Sequence, residues 1–81
     1  SFQKEVYRKL YMTIGKLPPR AQEVILLYVD GKSNEEIARH LGLSIETIKS
    51  HKKNAIRFLK NHLGHLNLLI IILYMKRTEP H

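Results

Sequence analysis

Between Ser33 and Arg57 the chain carries hydrogen-bonding side chains whose types and spacing suit the reading of a nucleic acid. Glu46 can accept from a cytosine amine, Lys49 can donate to guanine and Asn54 can pair with adenine, with Thr47 and Ser50 beside them as shorter contacts to base edges. Lys52, Lys53 and Arg57 lie a turn or two further on, where cations clamp phosphates and set position without reading sequence. Ser33 and Asn34 open an earlier helix whose first N–H groups offer another phosphate site. Any one of these lysines serves equally well as a solvated surface charge. It is their gathering on one side of one helix that points to a polyanion.

Such a surface needs a scaffold, and residues 33–54, SNEEIARHLGLSIETIKSHKKN, supply one as a helix-turn-helix. Ala38 is small where a second helix must cross the first, Gly42 permits a left-handed corner, and Ile48 gives the second helix an inward apolar anchor. With Ile45 and Ile48 inward, helical periodicity turns Glu46, Thr47, Lys49, Ser50, Lys53 and Asn54 to the opposite or flanking faces, where a major groove can receive them.

The rest of the chain reads as closely spaced helices. Phe2, Val6, Leu10 and Ile14 recur every four residues with Tyr7 and Tyr11 alongside, predicting a helix over 2–14 that Gly15 ends. Pro19 suits the first turn of a second helix, whose stretch from Val24 to Val29 is apolar nearly all round and is expected at the centre of the core, with Tyr28 on its apolar stripe. Asp30-Gly31 stops it. Ser33 and Glu36 have capping-box spacing for a third helix from Asn34 to His40 or Leu41. Ser44 caps a fourth, running from Ile45 to about His62, with Ile45, Ile48, Ala55, Ile56 and Leu59 inward.

The 81 residues hold 14 Lys+Arg against 7 Asp+Glu, a formal charge of +7 that favours nucleic acid first and an anionic membrane surface second. Without cysteine there is no disulfide framework, thiolate zinc site or catalytic thiol. No enzyme and no cofactor are expected. His62 and His65 are interrupted by Gly64 and have no acidic neighbour, so no metal site is expected either. Ser1, Ser33, Ser44 and Ser50 are better placed as terminus, caps and recognition surface than as nucleophiles. The start at Ser1, without Met, suggests a piece of a longer protein.

Residues 17–60, LPPRAQEVILLYVDGKSNEEIARHLGLSIETIKSHKKNAIRFLK, resemble the fourth conserved region of bacterial RNA polymerase sigma factors, most closely the extracytoplasmic-function group. The likeness rests on Leu17-Pro18, Glu23-Val24, Glu36-Ile37-Ala38, Leu41-Gly42, Ser44, Thr47-Ile48-Lys49, Ala55 and Leu59, with residues 2–14 similar to the helix that leads in. The resemblance implies a cytoplasmic domain that binds the minus-35 element of double-stranded promoter DNA and docks on the flap of the polymerase beta subunit. It also implies an N-terminal domain, absent here, that melts the downstream element. Lys52 departs from the family, which has an apolar or weakly polar residue there; either it faces solvent or the helix meets its neighbour differently. The stretch from Asp30 to His51 also resembles the LuxR-type DNA-binding domain of response regulators, the alternative reading.

We therefore expect an all-α fold: a small helical bundle containing the helix-turn-helix over residues 1–64, with an apolar C-terminal helical tail over 65–81. The run LNLLIIILYM, residues 66–75, is too short to span a membrane, since ten helical residues cover about 15 Å of a roughly 30 Å hydrocarbon core. Left bare it invites aggregation. Its expected covers are its own domain, a second copy in a homodimer, or a partner such as polymerase or an anti-sigma factor, with membrane-surface anchoring by Lys76 and Arg77 a lesser possibility.

Overall fold

The structure is a computed structural model that describes residues 2–65, the side chain of Gln3 excepted. Its elements are α1 (Phe2–Ile14), α2 (Pro19–Val29), α3 (Asn34–Leu41) and α4 (Ile45–Leu63), and the described residues contain no strand. The expected helices are all present, α4 reaching one residue past the anticipated His62. The apolar run 66–75, and with it all of the expected tail but His65, lies outside the described residues.

Local chemistry sets each boundary. Pro18 is extended at φ −55° and ψ 149°, and Pro19 begins α2 where no N–H is required. Gly31, at φ 93°, ends α2 in a left-handed turn, with the Lys32 N–H donating to the Leu27 carbonyl at 3.1 Å. Ser33 and Glu36 form the complete capping box: the Glu36 N–H donates to Ser33 Oγ at 3.1 Å and the Ser33 N–H to Glu36 Oε1 at 3.0 Å. Gly42, at φ 68° and ψ 35°, closes α3 as expected, and the Leu43 N–H reaches back to the Ala38 carbonyl at 3.0 Å. Two residues later Ser44 Oγ accepts from the Thr47 N–H at 3.1 Å and starts α4.

The helices bury two apolar clusters that meet at α2 and α4. Leu10, Ile14, Leu17, Ala21, Ile25, Ala55, Leu59 and Leu63 join α1, α2 and the later part of α4. Val24, Ile37, Ala38 and Ile48 join α2, α3 and the start of α4. Tyr28 packs against both. The second cluster brings the two helices of the helix-turn-helix into close crossing: Ile48 is wholly buried, and Ala38 is buried where a larger side chain would hold the helices apart.

Several core expectations need correction at the edges. Phe2 is 67% exposed and Tyr11 50% exposed. Phe2 stands a turn before Val6, the first α1 residue to touch the core, while Tyr11 is rotated about 100° from Leu10 and passes out of the stripe. Leu26 is also exposed, so α2 is central without being enclosed. Ile45 and Ile56 are half-buried, and Leu63 completes the inner face of α4. Buried Thr13 is satisfied by donating to the Lys9 carbonyl, four residues back on the same helix, at 2.7 Å.

Candidate nucleic-acid interface

One side of α4 is bare from end to end. Advancing about 100° per residue, Glu46, Lys49, Ser50, Lys53, Asn54, Arg57, Lys60 and Asn61 fall within one contiguous arc of the helix, and every one of them is exposed. The opposite arc holds Ile48, Ala55, Leu59 and Leu63, all buried. Both arcs follow from one pattern, since the apolar side must meet α1, α2 and α3.

Four of the exposed residues, Lys49, Lys53, Arg57 and Lys60, form a cationic stripe rising about 16 Å along the helix axis. Glu46 is the sole acid on this arc and stands at its N-terminal end, nearest the turn. The arrangement separates two kinds of contact. Groups near the start of a recognition helix reach base edges, and cations further along meet the backbone. Lys60 was not among the residues singled out from sequence, although its place three residues beyond Arg57 and seven beyond Lys53 puts it on the same stripe.

The expected base-reading set is brought together with one qualification. Glu46, Lys49, Ser50 and Asn54 are all exposed on the outer arc. Thr47 sits on its flank, half-buried, with Oγ1 2.8 Å from Ser44 Oγ in a hydrogen bond within the turn. Its hydroxyl is thus engaged in stabilising the start of α4.

The expected phosphate set divides. Lys53 and Arg57 are exposed on the stripe. Lys52 turns the other way, about 100° round the helix from Lys53, toward the seam between α2 and α3. There its Nζ donates to Asn34 Oδ1 at 2.9 Å and lies 4.0 Å from the centroid of the Tyr28 ring. Lys52 and Asn34, anticipated at phosphates, are therefore bonded to each other. Burial, and to a smaller extent the neighbouring Lys49 charge, pull the Lys52 ammonium below the usual lysine range, while the ring face and the amide oxygen favour its charged form. This decides the question the sequence left open: α4 meets its neighbour through the lysine.

Ser33 also departs from expectation. Its N–H, offered to a phosphate on the sequence argument, is bonded to Glu36 Oε1. Asp30, Glu35 and Lys32 line the adjoining surface depression with Asn34 and Lys52, so carboxylates stand where a phosphate would approach. The backbone bond from Ser33 holds the Glu36 carboxyl below its ordinary pKa, the Ser33 hydroxyl adding to the effect. The N-terminus of α3 is capped by the protein's own acid.

Two curated proteins similar to this chain are regulators by name. The uncharacterized response regulatory protein YgeK of Escherichia coli (strain K12) is 39% identical over 54 residues, covering 67% of this chain and 37% of that protein. The transcriptional regulatory protein MctR of Rhizobium johnstonii (strain DSM 114642 / LMG 32736 / 3841) is 44% identical over 48 residues, covering 59% of this chain and 21% of that protein. The chain thus spans well under half the length of either. No solved structure matches it at a significant level. The family described as sigma-70, region 4 matches residues 7–59, which takes in most of α1, all of α2 and α3, the turn and the outer arc of α4 as far as Leu59. With that match laid over a buried Ala38–Ile48 crossing and an open cationic helix face, the chain belongs to the sigma-70 region 4 family of DNA-binding helix-turn-helix modules.

Proposed function

We propose that this chain is the promoter-recognition module of a sigma factor of the extracytoplasmic-function type, which reads the minus-35 element and docks on the flap of the polymerase beta subunit to start transcription. The observation that carries the DNA-reading part is the uninterrupted exposed arc of α4, from Glu46 to Asn61, on a helix whose other side is fixed in the core. Glu46, Lys49, Ser50 and Asn54 read bases, with Thr47 contributing through its methyl group and its hold on the turn. Lys53, Arg57 and Lys60 follow the phosphates. A cytoplasmic site of action belongs to the same reading, as do an anti-sigma partner and a homodimer joined through the apolar tail.

The test is equilibrium binding to promoter and random duplexes across a salt series. Log Kobs falls with log salt by about 0.9 per phosphate neutralised, so Lys53→Ala and Arg57→Ala each lower the slope by about one on every sequence. Glu46→Ala and Lys49→Ala instead change which bases are preferred. Equal loss on all sequences from Glu46→Ala removes its reading role, and salt-insensitive retention removes the interface.

The name of one curated relative, the response regulatory protein YgeK, supports a second reading, in which the same arc belongs to the DNA-binding domain of a response regulator. Capture of core polymerase by the full-length protein separates the two, because only the sigma reading requires it.

A further inference from the structure

Resting on the DNA-binding reading above, we infer that Lys52 is a positioning residue for recognition: from inside the seam of three helices it sets the angle at which α4 presents its outer arc, and it touches no phosphate. Its partners come from both other helices of the seam. Asn34 is the first residue of α3, and Tyr28 lies one residue from the end of α2. A single ammonium, 2.9 Å from the Asn34 amide oxygen and 4.0 Å from the Tyr28 ring centroid, thus ties α4 to α3 and α2 at once.

The place of this tie matters as much as its strength. Tyr28 packs against both apolar clusters, so the ring under Lys52 lies where the two halves of the core join. The second cluster has four buried members, two of them on α3. Packing of this small cluster brings α3 and α4 to their crossing, but the apolar attraction behind it is non-directional and leaves small rotations of α3 to be set by other contacts. A hydrogen bond with fixed geometry at the first residue of α3 adds the missing direction. Lys49 and Lys53, on either side of Lys52 in sequence, are carried by the same rigid helix, so a tilt at the seam displaces the whole reading surface.

A phosphate clamp and a positioning strut leave different signatures in one titration. Binding is measured on a duplex selected by the wild-type protein from a random pool and on an unselected duplex, each across sodium chloride concentrations. Lys52→Met keeps the length of the side chain without its charge, and Lys52→Arg keeps charge and donors. We expect Lys52→Met to weaken the selected duplex by about three- to tenfold, the scale of one lost hydrogen bond and one cation–π contact, with the salt slope unchanged. Lys53→Ala, run alongside, lowers the slope by about one. Asn34→Ala, which removes the hydrogen bond and leaves the Tyr28 contact, gives part of the Lys52→Met loss, the double variant is no weaker than Lys52→Met alone, and Lys52→Arg restores binding.

Residual dipolar couplings of the free protein give a readout independent of DNA, in which Lys52→Met changes the orientation of α3 relative to α4 while both helices persist. A slope lowered by about one in Lys52→Met, unchanged affinity, additive losses, or unchanged couplings overturns the inference. If the wild-type protein shows no salt-sensitive DNA binding the functional reading fails by itself, and the couplings still decide whether Lys52 holds the angle.

Discussion

Substitution of Gly42 isolates the geometry of the turn from everything that packs around it. The residue holds φ 68° and ψ 35°, a left-handed conformation that costs an L-residue roughly 1–2 kcal/mol. A Cβ added there meets nothing within 4 Å, so no steric contact enlarges or offsets the cost. Alanine regains a few tenths of a kcal/mol by restricting the unfolded chain, which leaves Gly42→Ala about 1 kcal/mol less stable. Gly42→Asn should lose less, because asparagine tolerates this region, and Gly42→Val more, because a β-branched side chain does not. For a domain of this size about 1 kcal/mol lowers Tm by roughly 4–8 °C. Thermal unfolding by circular dichroism reads the series, and DNA binding is then compared well below each Tm. Gly31→Ala serves as the control: it has the same kind of backbone at φ 93° and open space around it, but lies between α2 and α3, away from the recognition turn. Gly31→Ala should be destabilised at least as much, because φ 93° lies further from the left-handed region an L-residue tolerates, and only Gly42→Ala should also bind DNA more weakly once folded. A loss above about 3 kcal/mol, or equal losses for Ala, Asn and Val, would refute the reasoning, since backbone conformation would then not be the source.

Ile48→Ala removes a wholly buried side chain from the small second cluster and should cost about 2–5 kcal/mol, enough to unfold much of the protein near 37 °C, whereas Ile56→Ala, half-buried, should cost less; denaturant titration checks both. Ser44→Ala removes the cap of α4 and the bond to Thr47 Oγ1, for about 1 kcal/mol in the same assay, with the first turn of α4 losing amide protection first. Glu36 has a folded-state pKa below its unfolded value of about 4.5, so its contribution is complete above that pH and disappears as pH falls through the lower folded value. Stability measured down an acid series should therefore fall less steeply in Glu36→Gln, and an identical fall in the two proteins would exclude the capping carboxylate as a cause. Lys60→Ala should lower the salt slope by about one, as Lys53→Ala does, and an unchanged slope would take Lys60 off the phosphate path.

Much of the architecture is written in local signals. Pro19, the Ser33–Glu36 box, Gly42 and Ser44 each act through atoms no more than five residues away, which is why their roles were legible before any packing was known. The outer arc of α4 was legible for a related reason: once Ile48 faces inward, rotation of about 100° per residue assigns the rest of the helix. Tyr11 and Phe2 show the limit of that argument. They lie on or beside an apolar stripe, yet how far the stripe is covered depends on where α2 and α4 end against α1.

By itself, then, the sequence determined four helices, a left-handed corner between the last two, and a cationic face with Glu46 at its leading end, because each is set by short-range hydrogen bonding or helical periodicity. Only the tertiary structure decided what Lys52, Asn34 and Ser33 do. In sequence Lys52 and Lys53 are neighbouring cations of the same apparent use. In space one stands on the open stripe, and the other reaches across 18 positions to Asn34 and lies over Tyr28. A contact between helices depends on their relative angle and approach, and no property of a single helix contains either.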